Sequence, residues 1–154
     1  MSIERVIKRS FTVIGIEGST DDGGDFIGKL WETANSRFGE IMDLCKRNAN
    51  GGFAGFWGAM SDFARAFQPW ENFERGLYLA GAECEDGAEP PAGWTKWVIP
   101  SFEYLSFDRG EYDFGRAMEY VKESGFSASG AVHDFTDPGT GKGYIYVPIG
   151  KLDR

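Results

Sequence analysis

One segment of the chain sets a histidine beside an aspartate: His133 and Asp134, within GAVHDF. An imidazole and a carboxylate are the groups most often used for general acid–base catalysis. Adjacent residues of a strand point to opposite faces, so these two cannot form that pair directly. Register alone leaves open which of them faces a cleft. Glu83 lies in the apolar stretch LYLAGAE, and Tyr144 and Tyr146 alternate along YIYVPI. A cleft carboxylate (Asp134 or Glu83) beside a phenol (Tyr144 or Tyr146) could activate water, given a raised carboxylate pKa in apolar surroundings. That is hydrolase chemistry. With Trp57 and Trp97 added, the same residues could instead line a binding pocket. Apolar walls supply about 25 cal/mol per Å² of buried area, and a ring facing a cation adds roughly 0.5–2 kcal/mol. Each residue also has a plainer role open to it. Trp57 and Trp97 can fill a core, Glu83 can sit at a solvated strand end, and Asp134 can cap a turn.

Other chemistries find no support. His133 is the sole histidine, and Cys45 and Cys84 form no CxxC or Cys/His cluster, so no zinc site and no metal are expected. The thiols read as reduced and structural. GTGKG at 139–143 lacks the spacing of a phosphate loop and reads as a hairpin turn. No cofactor is implied. Of 154 residues, 16 are Lys or Arg and 24 Asp or Glu, for a net charge of −8. So acidic a chain lacks the electrostatic footprint for nucleic acid. No apolar run reaches the roughly 18 residues of a membrane span, and the first residues show no secretion signal, so a cytoplasmic location is expected. Aromatics make up 16% of the chain and glycines number 22, too apolar a mixture for disorder.

The elements that must position these groups fall into two similar halves, about 1–85 and 94–154, within one domain spanning 1–154. RVIKRSFTVIGIEGS (5–19) reads as a strand. Apolar residues at 26, 27, 30, 31, 34, 38, 41, 42 and 45 predict a helix, with Asp25 as its N-cap. Strands follow near 52–60 and 76–84, with an irregular turn or a short helix over 61–75 between them and a linker at 85–93. The segment 94–108 reads as one strand, with Pro100 at an edge or bulge. A helix over 110–124 and strands at 129–135 and 144–149 complete the second half. Gly58–Phe63 matches Gly130–Phe135 at four of six positions. The pattern predicts the α+β class: a tandem βαββ duplication forming one curved antiparallel sheet. Both helices would cover one face and leave a groove on the other. Strand alternation puts Tyr144, Tyr146 and Glu83 on that open face.

This order of elements resembles the GyrI-like small-molecule-binding domain, the effector-binding module of AraC- and MerR-type transcription regulators. FTVIGIEGS, GLYLAGAE, GWTKWVIPSFEYLSF, GAVHDFTDP and GYIYVPI carry the resemblance. It covers essentially the whole chain and leaves no room for the DNA-binding region often fused to such modules. It therefore implies a stand-alone bacterial sensor or sequestering domain, acting with a separate partner regulator. The family's pseudo-twofold groove takes hydrophobic, often cationic, aromatic compounds, as in multidrug binding. An acidic residue among Trp and Tyr recognises the cation. Its place falls on Asp134, with His133 as the neighbouring register. Tyr144 stands where the family often has a second acid. The implied ligand-binding set is Trp57, Glu83, Trp97, His133, Asp134, Tyr144 and Tyr146, for a neutral or cationic ligand. Some stand-alone members resemble hydrolases of cyclopropane-bearing electrophiles, which is the alternative activity.

Overall fold

A computed structural model describes residues 3–72 and 74–152. The outermost positions of the expected 1–154 domain, and Phe73 within 61–75, lie outside the described residues. The strands are β1 (Ile3–Lys8), β2 (Phe11–Ser19), β3 (Phe56–Ser61), β4 (Leu77–Cys84), β5 (Thr95–Ile99), β6 (Phe102–Asp108), β7 (His133–Thr136) and β8 (Gly143–Lys151). The helices are α1 (Phe26–Arg37) and α2 (Phe114–Glu123). All the strands join one antiparallel sheet in the order β1-β6-β8-β7-β3-β4-β2-β5. Exchanging β1–β4 with β5–β8 reverses this order onto itself, so the sheet is pseudo-twofold about the β3–β7 seam.

Three expectations need correction. The segments 5–19 and 94–108 are each two strands, so each half is ββαββ. In each half the leading strand crosses to the other half: β1 pairs with β6, and β5 with β2. Pro100 marks this break, because it has no N–H to give a ladder. Across it, the Ser10 backbone N–H donates to Ser101 Oγ at 2.7 Å. Second, the first helix stops at Arg37, and short 3-10 turns carry the chain through 38–44. Gly39 falls there, a poor helix former. Asp25 is the N-cap residue, but its side chain makes no capping bond, whereas Asp113 caps α2 by accepting from the Arg116 N–H at 2.8 Å. Third, Gly130–Val132 precede β7, so the matched six-residue segments do not occupy equivalent strand positions.

Strand alternation sorts the side chains. Ile14, Tyr78, Ala80 and Ala82 pack beneath α1 residues Phe26 and Ala34. Leu105, Phe107, Ile145 and Val147 pack beneath α2 residues Ala117 and Val121. The pairings Gly58↔Asp134 and Asp134↔Ile145 connect these two patches, so both helices lie on one face. Cys45 and Cys84, far apart in sequence, meet in the α1-side core as free thiols with sulfurs 3.6 Å apart.

Among the described residues the opposite face carries no helix, yet it is closed. Phe11, Val13, Trp57, Leu79, Trp97 and Ile99 form a buried cluster there. Rings from neighbouring and next-nearest strands touch there. Trp57 lies 4.8 Å from Phe11, 4.6 Å from Phe135 and 5.2 Å from Tyr146, ring centre to ring centre. The connection between β3 and β4 folds over this face, setting Phe67 edge-on against Trp97 at 5.7 Å. The groove expected on the helix-free face is therefore filled by the chain's own aromatics.

Candidate functional site

An open recess lies on the helix face. Its volume is about 450 Å³, and it sits over the β3–β7 seam. Helix α1 presents Ile27, Trp31 and Asn35 to it, each four residues apart on one helical stripe. The sheet supplies Phe56, Gly58, Tyr78, Asp134 and Thr136, and Arg109 enters from the end of β6. Trp31, Phe56 and Tyr78 give apolar ring surface, and Asp134 gives a carboxylate.

The Trp31 indole N–H donates to Tyr78 Oη at 2.9 Å. That fixes both rings and leaves the phenolic proton of Tyr78 available to a ligand. Burial pushes the Tyr78 phenol well above its ordinary pKa, and the nearby Asp134 charge adds to this. Burial likewise raises the Asp134 carboxyl, opposed by the Arg109 guanidinium at 3.8 Å. Gly58 makes the floor. A Cβ there would run into the Tyr78 hydroxyl and press on the Asp134 side chain. Gly58→Ala is expected to push Tyr78 off Trp31 and to cost about 1–3 kcal/mol of stability, read as a lower urea midpoint. An unchanged midpoint would mean that the Tyr78 ring swings aside freely.

The residues singled out in the sequence do not all meet here. Asp134 lines the recess. Trp57, Glu83, Trp97, His133, Tyr144 and Tyr146 lie on the opposite, closed face, because each is offset by one from the residues facing the helices. Glu83 is 7% exposed. Its Oε1 accepts the Trp57 indole N–H at 3.1 Å, and its Oε2 lies 3.2 Å from Lys8 Nζ and 3.5 Å from Lys46 Nζ. Trp97 donates its indole N–H to Glu17 at 2.7 Å. His133 Nδ1 accepts the Met60 backbone N–H at 3.0 Å, and burial lowers its pKa to about 3, so it is neutral at pH 7. Tyr144 stacks on Phe135, and Tyr146 packs against Trp57 and Tyr104.

Asp134 and the tyrosines of β8 are on opposite faces, and Glu83 is already held by an indole and two ammonium groups. Conversely, Trp31, Phe56, Tyr78 and Arg109 escaped the sequence survey. Trp31 carried a signal, since it is one turn after Ile27 on the stripe facing the sheet, but that stripe reads equally well as core. Tyr78 had a signal in its alternation with Ala80 and Ala82, small residues that leave room beneath a helix. Arg109 had none.

No family model matches the chain. The transcriptional regulator BrlR of Pseudomonas aeruginosa is 30% identical over 104 residues, which is 67% of this chain but only 33% of BrlR. The chain thus corresponds to about a third of that protein's length. Two solved structures share the architecture. SAV2435 bound to tetraphenylphosphonium superposes with a TM-score of 0.65 over 97% of this chain and 94% of its own, at 16% identity. A transcription regulation protein from Staphylococcus aureus MU50 gives 0.63 over 97% and 99%, at 17% identity. At these identities the likeness speaks to fold, and it agrees with the eight-stranded curved sheet and its two helices. In fold, this chain is a GyrI-like domain.

Proposed function

We propose that the helix-face recess binds an apolar, aromatic small molecule, and that the chain serves as an effector-binding or sequestering module whose occupancy a partner regulator reads. One observation carries this. A half-buried carboxylate, Asp134, stands between aromatic side chains in an open recess of about 450 Å³. That size and make-up, with apolar walls and a few convergent polar groups, suit a drug-sized ligand. The solved relative bound to tetraphenylphosphonium supports the ligand class. Asp134 is the acidic residue that this reading retains from the sequence.

Fluorescence titration with tetraphenylphosphonium tests it. Trp31 lines the recess, while Trp57, Trp94 and Trp97 are buried. Saturable quenching is expected, with a dissociation constant on the order of tens of micromolar. Trp31→Phe should remove most of the quench while calorimetry still registers binding. Absence of calorimetric binding by this cation and by neutral triphenylphosphine oxide, with the fold intact, would defeat the proposal.

A further inference from the structure

The recess is lined by one acid and one base: among its lining residues only Asp134 and Arg109 are charged. Arg109 is seated rather than draped. Its backbone N–H donates to the Gly143 carbonyl at 3.0 Å. Its Nη2 donates to Thr136 Oγ1 at 3.3 Å, and its Nη1 lies 3.8 Å from Asp134 Oδ1. Gly143 leaves space for this pose, since a Cβ there would overlap the guanidinium. The chain thus places its own cation beside the carboxylate that would greet a ligand's cation.

We infer that Arg109 determines charge specificity in this recess: its guanidinium stands 3.8 Å from Asp134 and offsets its charge, so the site takes neutral aromatic ligands, or ligands bearing an acceptor for the guanidinium, in preference to bare cations. The inference rests on the binding role proposed above. A cationic ligand must displace Arg109 or share Asp134 with it, and like charges in a partly desolvated recess repel. A ligand with a carbonyl, phosphoryl or carboxylate oxygen meets the guanidinium directly, in a charge-assisted hydrogen bond.

Two ions of nearly the same shape and opposite charge make the test, tetraphenylphosphonium and tetraphenylborate, titrated calorimetrically in sodium buffer. Triphenylphosphine oxide serves as the neutral probe. In Arg109→Gln the ratio of cation to anion affinity should rise by about tenfold or more, the scale expected for one partly screened charge. Arg109→Lys should stay near the wild-type ratio, and Asp134→Asn should move it the other way. Arg109 is half-exposed, so the Arg109 variants should keep the wild-type urea midpoint. If Arg109→Gln binds the probes with an unchanged ratio, or weakens both ions equally, Arg109 is only wall and the inference is overturned. If the folded wild type and variants bind none of the three probes, the binding role itself falls, and the charge inference falls with it.

Discussion

Truncation of Trp57 to alanine is expected to lower the folding free energy by about 3–5 kcal/mol, the range for removing a large buried aromatic. Trp57 is 1% exposed and lies at the centre of the helix-free face, in contact with Phe11, Phe135 and Tyr146. Each ring comes from a different strand, so the cavity left behind would be walled by elements that cannot collapse together. The substitution also deprives Glu83 of an indole donor and leaves the carboxylate to Lys8 and Lys46. Trp57→Phe separates the two effects. It keeps most of the packing and loses the hydrogen bond, for about 1–3 kcal/mol when a buried acceptor is stranded. Urea unfolding at pH 7 measures both. Ligand affinity at the helix-face recess should be nearly untouched in Trp57→Phe. A Trp57→Ala protein with the wild-type midpoint but lost ligand binding would reverse the assignment and make the helix-free face the site.

Acidification should expose the second large effect. His133 is neutral in the folded protein down to about pH 3, because burial disfavours the imidazolium and Nδ1 is committed to the Met60 N–H. The unfolded imidazole takes up its proton near pH 6.5. Between these values the unfolded chain binds more protons than the folded one, so stability falls as pH falls through the window. The contribution is intact above about pH 6.5, and roughly 3 kcal/mol of it should be gone by pH 4. Asp134 acts in the opposite sense. Burial raises its pKa, so its unfavourable ionisation in the folded state is relieved on acidification. Urea midpoints at pH 7 and pH 4, for wild type and His133→Gln, isolate the histidine. The variant should start less stable and lose less. Parallel losses in the two proteins would mean that His133 protonates freely in the fold.

Local patterning carried much of the architecture. The three-to-four spacing over 26–34 placed α1, and the period of two in YIYVPI and LYLAGAE correctly set Glu83 with Tyr144 and Tyr146 on one face. These are short-range properties of helices and strands, so a linear reading reaches them. The crossing of β1 and β5 was not legible. A strand's partner depends on pairing across some 100 residues, Ile3 with Phe107 for example, and on a strand break at Pro100 that looks like a bulge when read locally.

The candidate site divides along the same line. Asp134 was legible as an acid on a strand of the second half, and the alternation with His133 showed that only one of them could face a given side. Which side stays open is a tertiary matter. The aromatics of the helix-free face bury one another, and the β3–β4 connection folds over them. A recess remains on the helix face over the β3–β7 seam. Residue types and alternation determined which side chains travel together; curvature and long-range closure decided which set became core and which met the ligand space. Arg109 beside Asp134 belongs wholly to the second class, because their approach joins the end of β6 to β7 across β8, and no local pattern encodes it.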